Sequence, residues 1–432
     1  MPVKTEKDYW TSGFTDRPRP GLLISLFATL LGYLYLSCAL LLCKVFSRSS
    51  QGAATDDLAN KVTVLAIGPF FSQNWTAAHV DAMSQASTIE TVYVVVPEAY
   101  SENEKIQYVV FSKSAARVLG AGIARSIAAA KIVFSKRPTI VIGYHLPWNG
   151  VVALILARLA KTKAVYFSVG GPAEFIDGGI YSEHALFSKL RNASPHMESL
   201  FVKLINQFDA VFTMGKNAQA YFETIFSGAA IIPMAVGIDS ANFSKADTAE
   251  TPEIKYDVVT VGRLSKIKQV NMLLKATKNL VHWDDGIKVA VVGDGHQRES
   301  LERQAKEMAI TDNVDFLGWQ DDVNRYLRQS KVFVMTSASE GLPHSLIEAM
   351  LIELPVVMPD VGEIDDLVEN GINGYVFPPN DIERLTESLK NLLSDEDRRR
   401  EFASAARAAA LRHSVAAKVG QWEAATRTIM TG

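Results

Sequence analysis

Cysteine is almost absent from this chain of 432 residues, which contains only Cys38 and Cys43. Both lie in one apolar stretch near the N-terminus, so the rest of the chain has neither a disulfide framework nor a cysteine-ligated metal site. An excess of charge is also lacking, because 44 Lys and Arg residues stand against 47 Asp and Glu residues, for a formal net charge of −3. The composition therefore gives no support to nucleic-acid binding.

Charged residues are missing from one stretch, Leu22 to Cys43 (LLISLFATLLGYLYLSCALLLC). A helix over this stretch would be roughly 33 Å long, enough to cross a hydrocarbon core of about 30 Å. The apolar part of a cleaved signal peptide is shorter, at about 7–15 residues. We therefore expect an N-terminal tail at 1–21 and a transmembrane anchor at 22–43. A tightly docked helix and a buried core helix are the alternatives.

The length, with 48% hydrophobic and 21% charged residues, fits two globular domains of roughly 150–200 residues each. A small polar stretch within 44–60 is typical of a linker. Short β-branched runs then alternate with helical patterns over 61–239, and the alternation restarts over 253–410. A last helix at 411–432 is expected to pack back on the N-terminal domain. The pattern predicts two Rossmann-like, doubly wound α/β domains that face each other across a cleft.

The apolar runs predict five strands in each half. Those of the first half are 62–67, 92–96, 139–144, 164–169 and 210–214. Those of the second half are 257–262, 288–293, 314–318, 332–337 and 355–360. The segment 395–430 is predicted to be helical.

Chemically useful residues follow the strands of the second half, where open α/β sheets bind ligands. Arg263 and Lys268 come after Gly262 and could hold a diphosphate through charge-assisted hydrogen bonds. Glu340 follows a later strand, and Glu348 lies in the next helix, whose N-terminus could bind phosphate. In the alternative interpretation the cations are solvated surface charges, Glu340 is a partner of the helix dipole and Glu348 is a surface charge.

The order and spacing of these pieces resemble family 4 of the glycosyltransferases, enzymes of the GT-B fold. The resemblance covers nearly all of 61–430 and is densest over 257–380. VGRLSKIK is similar to the family's diphosphate element, VVGDGHQRESLE to its glycine turn and VDFLGWQDDV to the stretch that meets the base. SASEGLPHSLIEAM is similar to its motif of two glutamates, and PVVMPDVGEIDDLVENGINGYVFPPND to the element that follows it.

The resemblance implies roles for individual residues. Arg263 and Lys268 would neutralise the diphosphate leaving group, Glu340 would bind hydroxyls of the donor sugar, and Glu348 would bind the ribose hydroxyls. With His145, the first three form the expected catalytic set. The expected donor-binding residues are Gly262, Arg263, Lys268, Gly293, Gly295, Leu317, Glu340, Gly341, Leu342 and Glu348. The family retains anomeric configuration and uses no divalent metal in the site, so we expect neither a metal nor a cofactor.

The N-terminal half is expected to hold the acceptor. The candidates on this side are His145, Gly170, Gly171 and Trp75. His145 follows the strand 139–144 and resembles the family histidine near the donor sugar, although a lone histidine is more often structural. Glu174 is a weaker candidate.

The sequence departs from the family pattern at three places. The loop 68–75 lacks the Gly-Gly pair that many members have after the first strand, which makes Phe70 or Trp75 a candidate for acceptor contact. Gln269 replaces the usual glycine after the lysine. Gly362-Glu363 replaces a Gly-Gly pair, so the fit around the donor sugar is expected to differ.

The expected function is transfer of a hexose from a UDP- or GDP-sugar, with glucose and mannose as the leading sugars by family frequency. The acceptor would be a lipid-linked or other glycan at a membrane, in polysaccharide or glycolipid synthesis, with no nucleic-acid partner. We expect an N-terminal membrane attachment with the soluble domains on the cytoplasmic side. The alternatives are a nucleotide-sugar epimerase on the same fold and a non-catalytic nucleotide-sugar binding or scaffold protein.

Overall fold

The computed structural model describes residues 20–46, 61–100, 103–182, 184–228, 230–243 and 253–432. The tail and linker predicted from the sequence lie largely outside these described residues. The contacts divide the chain into two compact units. The N-terminal unit comprises the described residues up to Gly237 together with 415–432, and the C-terminal unit comprises those from Ile238 to Ser414.

The N-terminal unit contains a parallel sheet of seven strands in the order β3-β2-β1-β4-β5-β6-β7. The strands are β1 Val62–Ile67, β2 Ile89–Val96, β3 Ile106–Val110, β4 Ile140–Tyr144, β5 Lys163–Ser168, β6 Ala210–Thr213 and β7 Ala230–Pro233. The central strands are buried on both faces, as their β-branched composition predicts.

Helices connect these strands. They are α1 Leu22–Val45, α2 Gln73–Gln85, α3 Lys113–Leu119, α4 Ala121–Lys136, α5 Val151–Ala160, α6 Pro195–Ile205 and α7 Lys216–Ile225. Several begin at residues suited to that position. Ser72 accepts a hydrogen bond from the N–H of Trp75 at the start of α2. Ser194 likewise accepts one from the N–H of Met197 at the start of α6, where Pro195 is the first helical residue.

Helix α1 covers the apolar stretch predicted at 22–43 and extends it to Val45. Its length and composition would allow it to cross a membrane. Within the N-terminal unit it packs against α5 and α6. It therefore contacts protein along one face.

The C-terminal unit contains a parallel sheet of six strands in the order β10-β9-β8-β11-β12-β13. The strands are β8 Tyr256–Val261, β9 Val289–Val292, β10 Val314–Gly318, β11 Ser330–Val334, β12 Val356–Pro359 and β13 Gly374–Phe377. The helices are α8 Val270–Val281, α9 Arg298–Glu307, α10 Val323–Arg328, α11 His344–Leu351, α12 Ile382–Ser394 and α13 Glu396–Ala410. Their apolar faces close a core in which residues such as Leu273, Val291 and Leu389 are fully buried.

The last helix, α14 (Val415–Thr431), belongs to the N-terminal unit. It packs on α2, the Trp422 ring lies 5.4 Å from the Phe212 ring, and Glu423 accepts hydrogen bonds from Ser87. The segment 395–430 is helical as predicted, in two helices, because α13 ends at Ala410 and a short turn separates it from α14.

Three strands were not predicted from the sequence, namely β3, β7 and β13. Each lies at the edge of its sheet and has only four or five residues. Edge strands are half-exposed, so they lack the continuous apolar run that marks a buried strand. The prediction of two Rossmann-like parallel-sheet units is confirmed.

Each sheet reverses its strand order at one point. In the N-terminal unit β1 lies between β2 and β4, and in the C-terminal unit β8 lies between β9 and β11. Loops leave the carboxyl ends of the two central strands in opposite directions there and open a crevice, which is where such sheets bind ligands. The two switch points therefore mark where site residues are expected in each unit.

Candidate functional site

Two glycines let the loops after β8 and β9 run side by side. A Cβ at Gly293 would lie 2.0 Å from the Gly262 carbonyl oxygen, and one at Gly295 would lie 2.4 Å from that of Leu264. The Leu264 N–H donates to the Asp294 carbonyl at 2.9 Å. No larger residue fits at either glycine, so both have a structural reason to be glycine. Their predicted contact with a donor stays a prediction.

The loop after β8 is bound to the loop after β11. Thr336 Oγ1 donates to the Lys268 carbonyl at 2.9 Å, and the Ala338 N–H donates to the Ile267 carbonyl at 2.7 Å. Across this junction Lys268 Nζ lies 2.6 Å from Glu340 Oε1. The structure therefore brings together two of the predicted catalytic residues at the switch point, beside the exposed Arg263.

Gln269 occupies the position where the family usually has glycine. Its φ of 45° and ψ of 41° are in the left-handed region, which glycine enters without strain. Gln269 Nε2 donates to Asn380 Oδ1 at 3.1 Å. The backbone shape associated with glycine is thus kept, and a side-chain hydrogen bond accompanies it.

Helix α11 begins at His344, directly after the loop that carries Glu340, Gly341 and Leu342. No side chain caps its N-terminus, whose backbone N–H groups suit an anion. Glu348 lies one turn further on, and burial raises its pKa to about 7. Burial and the nearby charge of Lys268 lower the pKa of His344 to about 4, so its ring is neutral at pH 7.

The loop after β12 packs directly on the loop of Glu340. Gly362 has a φ of +73°, and a Cβ there would lie 2.4 Å from the Glu340 carbonyl oxygen. The Glu363 N–H donates to the Gly341 carbonyl at 3.0 Å, and the Glu363 residue is 2% exposed. Position 362, where the family has the first glycine of its Gly-Gly pair, must therefore remain glycine. Position 363, where the family has the second glycine, places a buried acidic residue behind the candidate site.

Two serines at this site were missed by the sequence reasoning. Ser265 and Ser337 each bury a hydroxyl oxygen that makes no hydrogen bond to the protein. Ser337 also lines a small depression with Gly262, Arg263 and Lys268. Its position at the start of the two-glutamate motif SASEGLPHSLIEAM was the available signal. Both hydroxyls are candidates for contact with a bound phosphate or water.

The predicted base-contacting residue, Leu317, lies in β10 and is partly buried. The next residue, Gly318, accepts a hydrogen bond from the Gly293 N–H at 2.8 Å. Leu317 is therefore held next to the glycine turn after β9. Its contact with a base stays a prediction.

In the N-terminal unit, one carboxylate organises the loops after β4 and β5. Glu174 Oε1 lies 2.9 Å from His145 Nδ1 and accepts from the Gly170 N–H at 2.7 Å. Glu174 Oε2 accepts from the Leu146 N–H at 2.7 Å and from the Tyr166 hydroxyl at 2.9 Å. The side chain of Glu174 is only 6% exposed, whereas that of His145 is 36% exposed.

The protonation states follow from these contacts. Burial alone would raise the pKa of Glu174, but the charge and hydrogen bond of His145 and the two backbone donors hold it below its usual value. Burial and the Glu174 carboxylate raise the pKa of Tyr166 well above its ordinary value. Glu174 is therefore an ionised acceptor, and His145 Nδ1 donates to it. The ring nitrogen that Glu174 does not engage is Nε2.

The backbone at His145 is strained. Its φ of 65° lies in a region that non-glycine residues rarely adopt and that costs on the order of 1–3 kcal/mol. The hydrogen bonds from the His145 ring and the Leu146 N–H to Glu174 hold this conformation. Glu174, the weaker sequence candidate, is thus the residue that positions His145.

The remaining acceptor-side candidates lie in two places. Gly171, with a φ of +63°, begins the turn that carries Glu174. Trp75 is partly buried, with its ring 4.0 Å from that of His79 and 6.2 Å from that of Tyr144. Phe70 is fully buried against these rings. The expectation that Phe70 could meet an acceptor is wrong, because the aromatic cluster fills the space around it.

Comparisons with known proteins show what this chain is similar to. Residues 244–409 match the family described as "Glycosyl transferases group 1". The amylovoran biosynthesis glycosyltransferase AmsD of Erwinia amylovora is 34% identical over 151 residues, which cover 34% of this chain and 42% of AmsD. A GalNAc-alpha-(1->4)-GalNAc-alpha-(1->3)-diNAcBac-PP-undecaprenol alpha-1,4-N-acetyl-D-galactosaminyltransferase of Campylobacter jejuni is 28% identical over 202 residues, which cover 46% of this chain and 54% of that protein. The chain spans between 40% and 57% of the length of the first four curated relatives.

Among solved structures, Anabaena Alr3699/HepE in complex with UDP matches with a TM-score of 0.63. The identity is 18%, and the match covers 85% of this chain and 100% of that chain. The chain therefore has the GT-B glycosyltransferase fold. More particularly, residues 244–409 in its C-terminal unit are similar to the glycosyl transferases group 1. The resemblance is confirmed at this level, whereas family 4 and retention of configuration stay predictions.

Proposed function

We propose that this chain is a retaining family 4 glycosyltransferase that moves a hexose from a nucleoside diphosphate sugar to a membrane-associated acceptor, in polysaccharide or glycolipid synthesis. The observation that carries the proposal is the pairing of Lys268 Nζ with Glu340 Oε1 at 2.6 Å. This pair lies at the switch point between β8 and β11, close to the uncapped start of α11.

The chemistry needs stabilisation of a leaving diphosphate. The bond between the sugar C1 and the diphosphate oxygen breaks, the acceptor oxygen bonds to C1, and the proton of the acceptor hydroxyl passes to the departing diphosphate. Negative charge grows on the diphosphate, and positive charge grows on the sugar ring. Arg263, Lys268 and the N–H groups at the start of α11 would stabilise the negative charge on the diphosphate. In other enzymes a metal ion stabilises this charge.

The observed ion pair suits exchange with such a donor. Lys268 is 26% exposed and Glu340 is 9% exposed, so a ligand can reach the ammonium. A bound diphosphate would take Lys268 as its counter-ion, and the sugar hydroxyls would take Glu340 as acceptor. Each group then keeps a partner of suitable charge or polarity when the donor binds.

The membrane-associated acceptor and a cytoplasmic location rest on other observations. Helix α1, near the N-terminus, is apolar and long enough to cross a membrane. The name of the Campylobacter relative describes an acceptor linked to undecaprenol diphosphate. Nucleotide sugars are made in the cytosol, which favours that side for the two units. UDP-sugars are the first donors to test, because the Anabaena structure was solved with UDP.

The test is a transfer assay with the purified full chain, a panel of UDP- and GDP-sugars, and a membrane lipid extract as acceptor. We expect one nucleoside diphosphate to be released in amounts that depend on the extract, with the sugar recovered in the lipid fraction. Chelation of divalent metals should leave the rate unchanged. Binding of a nucleotide without transfer from any donor would contradict the catalytic proposal and favour a non-catalytic binding protein.

A further inference from the structure

The face of α1 that points away from the N-terminal unit is a large exposed apolar surface. Its residues are Leu22, Leu23, Ile24, Leu26, Phe27, Leu30, Leu34, Leu41, Leu42 and Val45. Each of these residues is between 41% and 82% exposed. Apolar surface on this scale marks an interaction site rather than ordinary protein surface.

The opposite face of α1 is docked on the N-terminal unit. Its buried residues recur every three or four positions and are Ser25, Ala28, Gly32, Leu36, Ala39 and Cys43. Most are small, so the helix approaches its neighbours closely, and a Cβ at Gly32 would lie 3.0 Å from Met197. Ser25 Oγ accepts from the Arg191 N–H at 2.7 Å, and the Tyr33 hydroxyl lies 2.9 Å from Ser194 Oγ.

This docking is difficult to reconcile with a helix that crosses a bilayer. The buried stripe from Ser25 to Cys43 extends about 27 Å, nearly the thickness of a hydrocarbon core of about 30 Å. If α1 stood upright in the membrane, the docked flank of the unit would enter to the same depth. That flank includes the exposed Lys189 and Arg191, whose charges are costly in hydrocarbon.

A second exposed apolar stripe lies on α4. Ile123, Ile127 and Phe134 of α4 are 42%, 55% and 57% exposed and share one side of that helix. Trp148 joins the two helices. Its ring stacks on that of Tyr35 in α1, and its Nε1 donates to Ser126 Oγ in α4, next to Ile127.

The chain segment that carries α3 and α4 has charge of one sign. Residues 105–173 contain ten Lys and Arg residues and no Asp or Glu, in a chain whose formal net charge is −3. The exposed cations on and beside α3 and α4 are Lys113, Arg117, Lys131, Lys136 and Arg137. Cations at the edge of an apolar surface complement a membrane with anionic headgroups.

We propose that the exposed residues of α1 together with Ile123, Ile127 and Phe134 form a docking face that enters one leaflet of an anionic bilayer, with α1 parallel to the membrane plane. The attachment is then one-sided and replaces the expected transmembrane anchor. The proposal deepens the proposed function by specifying how the chain meets the membrane that holds its acceptor. The docking proposal depends on the proposed function only in assuming that the acceptor lies in the membrane.

The first test is flotation of the full chain with vesicles of phosphatidylcholine alone or with phosphatidylglycerol. We expect tighter binding to the anionic vesicles and at least about a tenfold loss for Ile123→Glu/Ile127→Glu. Ile372→Glu, at a similarly exposed isoleucine of the C-terminal unit, is the control and should bind normally. Nucleotide binding by all variants, measured without vesicles, separates a failed docking face from a failed donor site. Unchanged flotation of the double variant would overturn the proposal.

The second test measures depth. A fluorophore is attached at Leu23, Leu34 or Leu41 of a chain in which Cys38 and Cys43 are replaced by alanine, and lipids carrying quenchers at known depths are added. A helix in the membrane plane places all three labels at the same shallow depth. A helix that crosses the bilayer places the label at Leu34 deepest, and that result would overturn the proposal. So would burial of all three labels in a lipid-free dimer that does not float.

Discussion

The two units have the same kind of sheet but fill their switch points differently. In the C-terminal unit, Arg263, Lys268 and Glu340 gather where β8 and β11 end. In the N-terminal unit, an aromatic cluster lies beside the loop after β1, and His145, after β4, pairs with Glu174, after β5. The fold supplies the place for a ligand in each case, and the loop residues decide the chemistry.

The two ion pairs also differ in what surrounds them. Lys268 and Glu340 are joined by one short contact and remain partly accessible, so a ligand can separate them. Glu174 is buried and accepts hydrogen bonds from three further groups besides His145. The first pair is suited to exchanging partners, and the second is suited to holding two loops in place.

The strongest test of this difference is Arg263→Ala. We expect the transfer kcat/KM to fall by about 100-fold or more, because a cation that stabilises the leaving diphosphate is lost. The matched control is Lys266→Ala, an exposed cation in the same loop, which should change the rate less than about threefold. Steady-state assays measure kcat/KM for both variants. Equal effects of the two substitutions would contradict a role for Arg263 in stabilising the leaving group.

Glu348 extends the comparison to pH. Its pKa is raised from 4.5 to about 7. Between pH 4.5 and pH 7 the folded state therefore keeps a proton on Glu348 that the unfolded state releases. The free energy of unfolding should therefore fall by about 3 kcal/mol from this group as pH rises through that window, and stay level above it. Glu348→Gln should remove this fall in urea titrations at pH 5 and pH 8. A fall of the same size in the variant would show that other groups cause it.

Glu174→Gln tests the holding role. We expect kcat to drop by about tenfold with little change in the donor KM, because the neutral amide no longer fixes the orientation of the His145 ring. Glu90→Gln, at an exposed glutamate on β2, is the control. A change in donor KM alone would indicate a role in donor binding instead.

The smallest effect is expected for Arg298→Ala, which separates structural cations from functional ones in the C-terminal unit. Arg298 pairs with Asp294 and Glu302 on the surface of α9 and donates to the Phe316 carbonyl. Its loss should cost about 1 kcal/mol or less in urea unfolding and leave transfer within about threefold. A loss of activity as large as that of Arg263→Ala would place Arg298 in the donor site.

Much of the C-terminal unit was predictable because its signals are local. Buried strands are continuous apolar runs, and Arg263, Lys268, Glu340 and Glu348 follow them at fixed distances along the chain. The edge strands β3 and β13 were missed because a half-exposed strand has a weaker pattern. Ser265 was missed because its burial depends on packing between two loops that are far apart in sequence.

The N-terminal unit was harder to interpret. The sequence ranked Glu174 low, since a single glutamate after a turn has no distinguishing pattern. Only packing brings it against His145, Leu146, Gly170 and Tyr166, which arrive from different strands and loops. Phe70 was misplaced for the same reason, because its burial depends on rings from α2 and β4.

The sequence by itself determined the two α/β units, the apolar helix and the order of the charged motifs, because periodicity and strand-to-loop spacing are properties of neighbouring residues. The tertiary structure alone decided which charges meet, which aromatic residues are buried and which face of α1 is covered by protein. Those outcomes depend on contacts between segments distant in sequence. Their free energy comes from desolvation and hydrogen bonds that exist only once the units have folded.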